Sequence, residues 1–249
     1  MNSKNLSEGL QSYAIPGGNF NFTGLPVGDP NMAMEQTLYF LAVDESGSTM
    51  GFRPEMSKAT QEIVKSLTRS PRADNLMYRM THFSTGIREI HGWKPLRDCN
   101  VGDYANTFLH SGCTDLYDAA CEGAESMRIY AEDLAKNRYL ANGVLVIITD
   151  GCNLGSTYGV NDVRRMFEQL IQGEMLESLM TILVGVNINS PAVKAELDEF
   201  QKKAGFTQFI AVEDATEKTM AKVADFISRS VSSQSSALGT GGASQSLTF

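Results

Sequence analysis

Residues 37–50 decide the fold, because the apolar run Thr37-Leu38-Tyr39-Phe40-Leu41-Ala42-Val43 is followed at once by Asp44-Glu45-Ser46-Gly47-Ser48-Thr49-Met50. The run is typical of a buried strand, and it ends abruptly in one carboxylate and two hydroxyls spaced two residues apart. An open α/β sheet usually places its binding crevice beyond the carboxyl ends of its strands. Asp44, Ser46 and Ser48 are therefore candidate ligands for a divalent metal ion.

The length and charge of the chain limit the function classes that it can serve. Its 249 residues suit one large α/β domain with a tail at each end, or two small domains. A net charge of -8 and a pI near 5.0 argue against nucleic acid as a partner, since no basic stripe is present to bind phosphates. No cluster of Lys and Arg suits anionic lipid either, so we expect no nucleic-acid partner and no membrane partner.

The apolar segments and the cysteines give an expectation for the location of the chain. Met1 to Leu10 lacks the basic start and apolar core of a signal peptide. The longest apolar run, Val144 to Ile148, is far too short to span a membrane. We therefore expect a cytoplasmic protein, whose four cysteines form no C-x-x-C pair and are reduced thiols.

Apolar, strand-like runs alternate with helical patterns from Thr37 onward. The runs do not alternate polar with apolar residues, which is typical of parallel strands covered on both faces. Strands that alternate with helices predict an α/β fold with a doubly wound, mostly parallel sheet and helices on both faces. Ile87–Trp93 breaks this rhythm and predicts one short antiparallel edge strand. The predicted parallel strands are Thr37–Val43, Leu76–Phe83, Val144–Thr149, Thr181–Val186 and Thr207–Val212.

Residue types at helix ends mark where two of the helices begin. Ser190-Pro191 has a cap residue followed by Pro at the first helical position, and Gly205 is placed to end the same helix. Asp214 and Glu217 resemble a capping box that opens the last helix.

Both ends of the chain differ in composition from its middle. Residues 1–34 are rich in Asn, Gly, Pro and Ser and predict an extended arm, in which Phe20 and Phe22 favour packing on the domain over plain disorder. The Ser- and Gly-rich residues 231–249 predict a flexible tail, since they bury too little apolar area to offset their ordering entropy. The predicted division is thus an arm at 1–34, a domain at 35–230 and a tail at 231–249.

Two further segments carry oxygen ligands to the same predicted sheet edge. Asp150 follows the strand that ends at Thr149, and Thr114 lies in a Gly-containing loop, residues 111–115, that leads into a helix. Two carboxylates and three hydroxyls suit a hard cation, since Mg²⁺ takes oxygen ligands in near-octahedral geometry. The motif has no imidazole or thiolate, the ligands that favour zinc or copper. The predicted metal ligands are Asp44, Ser46, Ser48, Thr114 and Asp150, with Mg²⁺ as the expected ion and Mn²⁺ or Ca²⁺ as alternatives.

This order of residues resembles a von Willebrand factor A (VWA) domain with a complete metal-ion-dependent adhesion site (MIDAS). Asp44-x-Ser46-x-Ser48, then Thr114, then Asp150-Gly151 match five positions of the motif in order, over a resemblance that covers roughly residues 35 to 230. The resemblance implies that Ser46, Ser48 and Thr114 ligate the ion directly and that Asp44 and Asp150 bind it largely through water. It also implies that an Asp or Glu of a protein partner fills the last position.

The resemblance further implies a binding module rather than an enzyme. The tail and the absence of a secretion signal make the chain more similar to bacterial cytoplasmic members of the family than to integrins or matrix proteins. TerY-like VWA proteins, which belong to stress-response and signalling systems, are the type that we suggest.

Other interpretations of the same residues stay open. Asp44 to Ser48 could form only a tight turn, and Thr114 or Asp115 could serve only as a helix cap, although three coincidences at one sheet edge would then be required. A metal-dependent, phosphatase-like hydrolase is a rival, but such enzymes want a second Asp at the position of Ser46. A third interpretation is a scaffold with a vestigial metal site that acts through its arm and tail.

Four residues near the motif have less decisive interpretations. Cys113 and Cys152 flank predicted ligands. One interpretation is that these thiols control partner binding by oxidation and reduction. The favoured interpretation is that both are simply small, partly buried residues. His82 is expected to be a packed strand residue, because the chain has no Gly-x-Ser-x-Gly nucleophile turn for it to serve. Glu45 is expected to face solvent between the ligands.

Overall fold

The computed structural model describes residues 10–15, 18–25, 34–109, 112–173, 175–240 and 247–249. The strands in chain order are β1 (Leu10–Ile15), β2 (Gly18–Thr23), β3 (Met34–Asp44), β4 (Leu76–Ser84), β5 (Gly86–Pro95), β6 (Tyr139–Thr149), β7 (Leu179–Gly185) and β8 (Gln208–Ala211). The α-helices are α1 (Arg53–Leu67), α2 (Leu116–Lys136), α3 (Val160–Gln172), α4 (Pro191–Ala204) and α5 (Glu217–Thr240). Strand order across the sheet is β1-β2-β5-β4-β3-β6-β7-β8.

The centre of the sheet is parallel, as the sequence predicts. β3 pairs in parallel with β4 on one side and with β6 on the other, and the parallel pairing continues through β7 to β8. The predicted antiparallel strand is confirmed as β5, which pairs with β4, but it is not an edge strand, because β2 lies along its other side. The hairpin β1–β2 continues the sheet beyond β5, where Phe22 lies opposite Trp93.

Both faces of the central strand β3 are buried, which explains its unbroken apolar sequence. Leu38, Phe40 and Ala42 belong to a core cluster shared with α2, α3 and α4. Tyr39 and Leu41 belong to the cluster on the opposite face, shared with α1 and α5. Because both layers hold β3, its carboxyl end at the motif has a fixed position.

The predicted arm forms a hairpin that packs on the domain. The Phe20 and Phe22 side chains are fully buried, and the Phe22 ring lies 5.1 Å from the ring of Tyr130 in α2. Gly92 in β5 permits this approach, because a Cβ atom there would lie 1.9 Å from the carbonyl oxygen of Asn21. The expectation that these aromatic residues pack is confirmed, while residues 1–9, 16–17 and 26–33 of the predicted arm lie outside the described residues.

The last helix corrects the predicted start of the flexible tail. α5 continues to Thr240 instead of ending near Arg229. Its Ser- and Gln-rich part is held by polar contacts rather than apolar burial. Asn142 donates to the Gln234 carbonyl at 2.7 Å, and Arg72 Nε lies 3.3 Å from Ser235 Oγ. Composition alone misses such contacts, and tail residues 241–246 lie outside the described residues.

Helix ends follow the sequence signals in one helix and depart from them in another. α4 begins at Pro191 and is ended by Gly205 at φ 82°, the left-handed conformation that favours glycine, while Ser190 holds the cap position without a capping bond from its side chain. Asp214 is not the cap of α5. Its carboxylate accepts from the backbone N–H of Thr216 at 3.0 Å, and the Thr216 hydroxyl accepts in turn from the Thr219 N–H at 3.4 Å. Thr216 therefore caps the helix, two residues later than predicted.

The terminal residues 247–249 return to the domain beside α5. Gln208 donates to the Leu247 carbonyl at 2.7 Å, and the Phe249 ring lies 5.6 Å from the ring of Phe226. In the described part of the chain, no helix combines the length and the apolar character needed to cross a membrane.

A buried arginine ties the hairpin, the sheet and α2 together. Arg79 in β4 is 1% exposed, and its guanidinium donates to Glu122 of α2 and, at 3.0 Å, to Glu89 of β5. Glu89 also accepts from the Asn21 amide at 2.8 Å. A buried charge needs such partners, because burying it without one would lower the folding stability by roughly several kcal/mol.

Candidate metal centre

Three loops meet beyond the carboxyl end of β3. β3 and β6 are paired up to Val43 and Ile148, so the residues that follow both strands lie side by side. The Gly47 N–H donates to the Gly112 carbonyl at 3.3 Å, and the Leu154 N–H donates to the Thr114 carbonyl at 2.9 Å. The chain leaves β3 for β4 on one side of the sheet and later returns to β6 on the other, which is the switch point where α/β sheets form a crevice.

The hydroxyl and carboxylate oxygens of the motif lie close together. Ser46 Oγ is 3.1 Å from Ser48 Oγ, and the Ser48 hydroxyl donates to Asp150 Oδ1 at 2.8 Å. Adjacent oxygens in an octahedral Mg²⁺ shell are about 2.9 Å apart, given bonds of about 2.0–2.1 Å. The spacing of these three side chains therefore fits the cation that the sequence predicts.

Asp44 lies at the base of this cluster and is completely buried. One carboxylate oxygen accepts from the Ser46 N–H at 2.8 Å, and the other accepts from the Thr149 hydroxyl at 2.7 Å. These bonds fix the carboxylate plane, so the side chain is held in place before any ligand arrives.

The electrostatics of the two carboxylates also suit a cation. Burial raises the pKa of Asp44 to about 6, even though the bonds from Ser46 and Thr149 lower it, and the charge of Asp150 raises it further. Burial likewise raises the pKa of Asp150. A divalent ion between two neighbouring carboxyl groups with raised pKa values stabilises both of them as anions.

Thr114 is buried two residues before the start of α2, as predicted for a loop that leads into a helix. The adjacent Asp115 does not cap the helix with its side chain. Its carboxylate accepts from the Gly86 N–H at 2.6 Å, and its own N–H donates to Ser84 at 2.9 Å. Asp115 thus fastens the Thr114 loop to the β4–β5 turn, while Ser111 lies outside the described residues.

Glu45 does not face solvent, contrary to expectation. Its side chain is 2% exposed and accepts from Arg88 at 2.6 Å and from the Leu109 N–H at 3.1 Å. Glu45 thus points inward, between the Arg88 guanidinium and the Leu109 backbone. The carboxylate therefore fixes residues 107–109 against the motif.

The same contacts set the charge state of Glu45. Burial alone would raise the pKa of Glu45, but the bonds from His82, Arg88 and the Leu109 N–H outweigh it and lower the pKa to about 2. Burial lowers the pKa of His82, so its ring is neutral at neutral pH and its Nδ1 lies 3.3 Å from the Glu45 carboxylate. His82 is a packed strand residue, as expected, and is fully buried.

We expect Glu45→Gln to lower the free energy of unfolding at neutral pH by about 2–3 kcal/mol, because Arg88 loses its carboxylate partner. In the folded wild-type protein the pKa of Glu45 is depressed, so its contribution is present above the unfolded value of about 4.5 and is lost as the pH falls toward about 2. Urea titrations at neutral and acid pH should therefore show the difference between the two proteins shrinking at acid pH.

Glu62→Gln is the matched control, because Glu62 is exposed on α1 and pairs with Lys65 one turn away. It should change the free energy of unfolding by less than about 0.5 kcal/mol. A loss at neutral pH no larger for Glu45→Gln than for Glu62→Gln would contradict the assigned role of Glu45.

Sequence reasoning missed several residues that position the site. Thr149 ends the β6 run, and only the neighbouring Asp150 was proposed, although a Thr beside a predicted ligand is a usable signal. The sequence carries no signal for the inward position of Glu45 or for its pairing with Arg88, because the two residues are 43 positions apart. In the described ranges, no group of three or more His, Cys, Asp and Glu side chains is arranged to hold a metal. The predicted site differs from such a cluster, because three of its five predicted ligands are hydroxyls.

The cysteines near the motif differ in their surroundings. Cys113 is exposed, so the expectation of a partly buried residue is wrong there, whereas Cys152 is partly buried as expected. Burial and the bond to Glu196 raise the pKa of the Cys152 thiol to about 12. Cys152 is therefore protonated at neutral pH and is a poor nucleophile, which agrees with the favoured interpretation of this residue.

Comparison with protein families and curated proteins gives no match. Solved structures do match. The PilB minor pilin from Streptococcus sanguinis gives a TM-score of 0.58 at 14% identity, over 86% of this chain and 65% of the pilin. The pilus adhesin SpaC from Lactobacillus rhamnosus GG gives 0.60 at 9% identity, over 90% of this chain and 34% of the adhesin.

A third structure decides the type of fold. The ArnB paralog VWA2 from Sulfolobus acidocaldarius gives a TM-score of 0.51 at 12% identity, over 80% of this chain and 46% of the paralog. The fold is VWA-like. Identities this low show the fold alone, and the chain spans less than two thirds of each of these three proteins. The VWA-like fold places the motif where the three loops of this sheet edge converge.

Proposed function

We propose that this VWA-like domain is a non-enzymatic module that binds a protein partner through a divalent cation, with Mg²⁺ as the expected ion. The observation that carries the proposal is the meeting of Ser46, Ser48 and Asp150 oxygens at spacings of 2.8–3.1 Å. Thr114 lies on a loop bonded to the same edge. An Asp or Glu of the partner completes the set of oxygen ligands.

The chemistry of the donor set supports a cation that stays attractive to an anion. Asp44 and Asp150 formally neutralise a divalent ion, while Ser46, Ser48 and Thr114 add contacts without adding charge. When bound, the cation supplies a positive centre for an acidic side chain. The protein's own residues orient this centre, since Thr149 and the Ser46 N–H hold the Asp44 carboxylate in one plane.

We expect Thr114→Ala to weaken Mn²⁺ binding by about 10–100-fold, because one hydroxyl of the donor set is lost. Electron paramagnetic resonance of free Mn²⁺ measures this without a partner, and competition with Mg²⁺ measures the natural ion. Excess EDTA should remove the partner binding that Mg²⁺ supports while the circular dichroism spectrum stays unchanged.

Thr68→Ala provides the control, because Thr68 is an exposed residue at the end of α1 whose hydroxyl donates to the Lys65 carbonyl. It should bind Mn²⁺ as the wild-type protein does. Equal Mn²⁺ affinity in wild type and Thr114→Ala, together with partner binding that resists EDTA, would refute the proposed function.

The rival hydrolase and scaffold interpretations each have a direct assay. A phosphatase-like enzyme would turn over a generic phosphomonoester and lose this turnover in Asp44→Asn. A scaffold that acts through its ends would lose partner binding when residues 1–34 and 232–249 are removed, and would keep it in EDTA. Both ends pack on the domain in part, through Phe20, Phe22 and Phe249, so a truncated protein must first be shown to fold.

The cellular setting stays a prediction. The sequence favours a cytoplasmic, TerY-like role in stress response or signalling, whereas PilB and SpaC are named as a pilin and a pilus adhesin. Locating the tagged protein by cell fractionation separates these settings. The proposed chemistry of the site is the same in both.

A further inference from the structure

Three large apolar side chains are exposed on the loops that form the candidate metal centre. Met50 is 61% exposed, Leu109 is 65% exposed and Leu154 is 72% exposed. A single exposed apolar residue is ordinary, but a group at a predicted binding site marks an interaction surface. We call these three residues the apolar rim.

The backbone of each rim residue is tied to the motif. Met50 lies in the 3-10 turn Gly47–Phe52, two residues after Ser48. The Leu109 N–H donates to the buried Glu45 carboxylate at 3.1 Å. The Leu154 N–H donates to the Thr114 carbonyl at 2.9 Å. The rim residues thus come from three separate loops at one sheet edge, although they are far apart in the sequence.

These anchors make the rim a preorganised surface. Glu45 is bonded to Arg88, which also donates to the Thr107 carbonyl at 2.7 Å, so the chain just before Leu109 is held at two points. Phe52, two residues after Met50, has its side chain buried in the core beside α1. A surface that is already ordered loses little conformational entropy when a partner covers it.

We propose that the apolar rim selects a partner segment in which the acidic side chain is flanked by large apolar residues. This inference rests on the proposed function and names the class of partner. A cation at the centre attracts the carboxylate, while Met50, Leu109 and Leu154 bury apolar neighbours on either side. The occupant is thus a short acidic peptide segment of mixed character, because a purely polar acidic segment would leave the rim exposed.

Two labelled synthetic peptides test the proposal by fluorescence polarisation. Both carry one central Asp and have equal net charge, but one has Leu and Phe on both sides of the Asp and the other has Ser and Gln. In millimolar Mg²⁺ we expect the apolar peptide to bind wild-type protein about tenfold more tightly or better, in line with the burial of one or two large side chains. Neither peptide should bind in EDTA.

The rim variant carries Met50→Ser, Leu109→Ser and Leu154→Ser. It should bind both peptides equally weakly and bind Mn²⁺ as the wild type does, which shows that the metal centre and the fold survive. The control variant carries Leu140→Ser and Ile171→Ser, two exposed apolar residues near the amino end of β6 and the carboxyl end of α3. Both lie toward the opposite edge of the sheet, so this variant should keep the preference.

The outcomes separate this inference from the proposed function. Three outcomes would contradict the proposed role of the rim: equal affinity of the two peptides for the wild-type protein, a preference that survives in the rim variant, or no binding of either peptide. An apolar preference that persists unchanged in EDTA, and is lost in the rim variant, would keep the rim and overturn the metal-dependent function. The Mn²⁺ titration judges the metal centre independently of both peptides.

Discussion

Asp44→Asn should weaken Mn²⁺ and Mg²⁺ binding by at least about 100-fold, since changes to residues that merely support metal ligands already cost about 10–100-fold. The substitution removes one of two predicted acidic ligands and keeps its shape. An Asn can still accept from the Ser46 N–H, and its amide can donate to the Thr149 hydroxyl oxygen, so the fold should survive. Electron paramagnetic resonance of Mn²⁺ gives the affinity, and circular dichroism verifies the fold.

The same substitution should change how the stability of the metal-free protein depends on pH. The pKa of folded Asp44 is raised to about 6 from an ordinary value near 3.8. The folded state therefore binds this proton more tightly, so the contribution of Asp44 to stability is fully present below about pH 4 and is lost as the pH rises through about 6. The loss amounts to about 3 kcal/mol for a shift of this size. Asp44→Asn should abolish it.

Chemical denaturation in EDTA, at pH values below and above this window, measures the effect. Mg²⁺ should restore stability to the wild-type protein at neutral pH and leave Asp44→Asn unaffected, because a ligand stabilises only the state that binds it. Asp198→Asn is the control, since Asp198 is an exposed partner of Lys202 on α4. If Mg²⁺ stabilises Asp44→Asn as much as it stabilises the wild-type protein, Asp44 is not a metal ligand.

Arg79→Ala should have the largest effect on stability, a loss of about 3–5 kcal/mol in the free energy of unfolding. Arg79 is 1% exposed, and its loss leaves the Glu122 carboxylate, which is 4% exposed, without its cationic partner. Glu89 loses the same partner, and it is the residue that holds Asn21 of the hairpin. We therefore expect urea to unfold the variant at a lower concentration and protease to cleave residues 10–25 faster.

Arg128→Ala separates buried from exposed ion pairs in the same helix. Arg128 pairs with Glu125 and Glu132 on the outer side of α2 and is 31% exposed. Its removal should cost less than about 1 kcal/mol. A loss of similar size in both variants would mean that the buried network contributes no more than a surface pair. Replacing both Arg79 and Glu122 with Met should recover part of the stability, since the Glu122 charge is then removed together with its partner. Only Glu89, which is 16% exposed and still accepts from Asn21, then lacks Arg79.

Much of the fold follows from local sequence, because a strand buried on both faces must be apolar at every position. This is why the β3 and β6 runs predict parallel central strands, and why Pro191 and Gly205 mark the ends of α4. The same reasoning fails where a segment is held by polar contacts. The Ser-rich end of α5 is an example, since Asn142 and Arg72 secure it from distant parts of the chain.

The candidate site divides in a similar way. Asp44, Ser46, Ser48, Thr114 and Asp150 could be proposed from residue type and position, because strand ends of a parallel sheet share one edge. Their role as metal ligands stays a prediction, while the meeting of their loops is a feature of the structure. The capping role of Thr216 could not be told from that of Asp214, since both are good cap residues and backbone geometry chooses between them.

The sequence by itself determined the α/β architecture and the chemical identity of the oxygen donors, because burial period and residue type are local properties of the chain. Only the tertiary structure decided that Glu45 turns inward to Arg88, and that Leu109 and Leu154 are exposed on loops fastened to Glu45 and Thr114. These arrangements depend on which loops the sheet brings side by side, and contacts between residues so far apart in the chain leave no periodic trace in it.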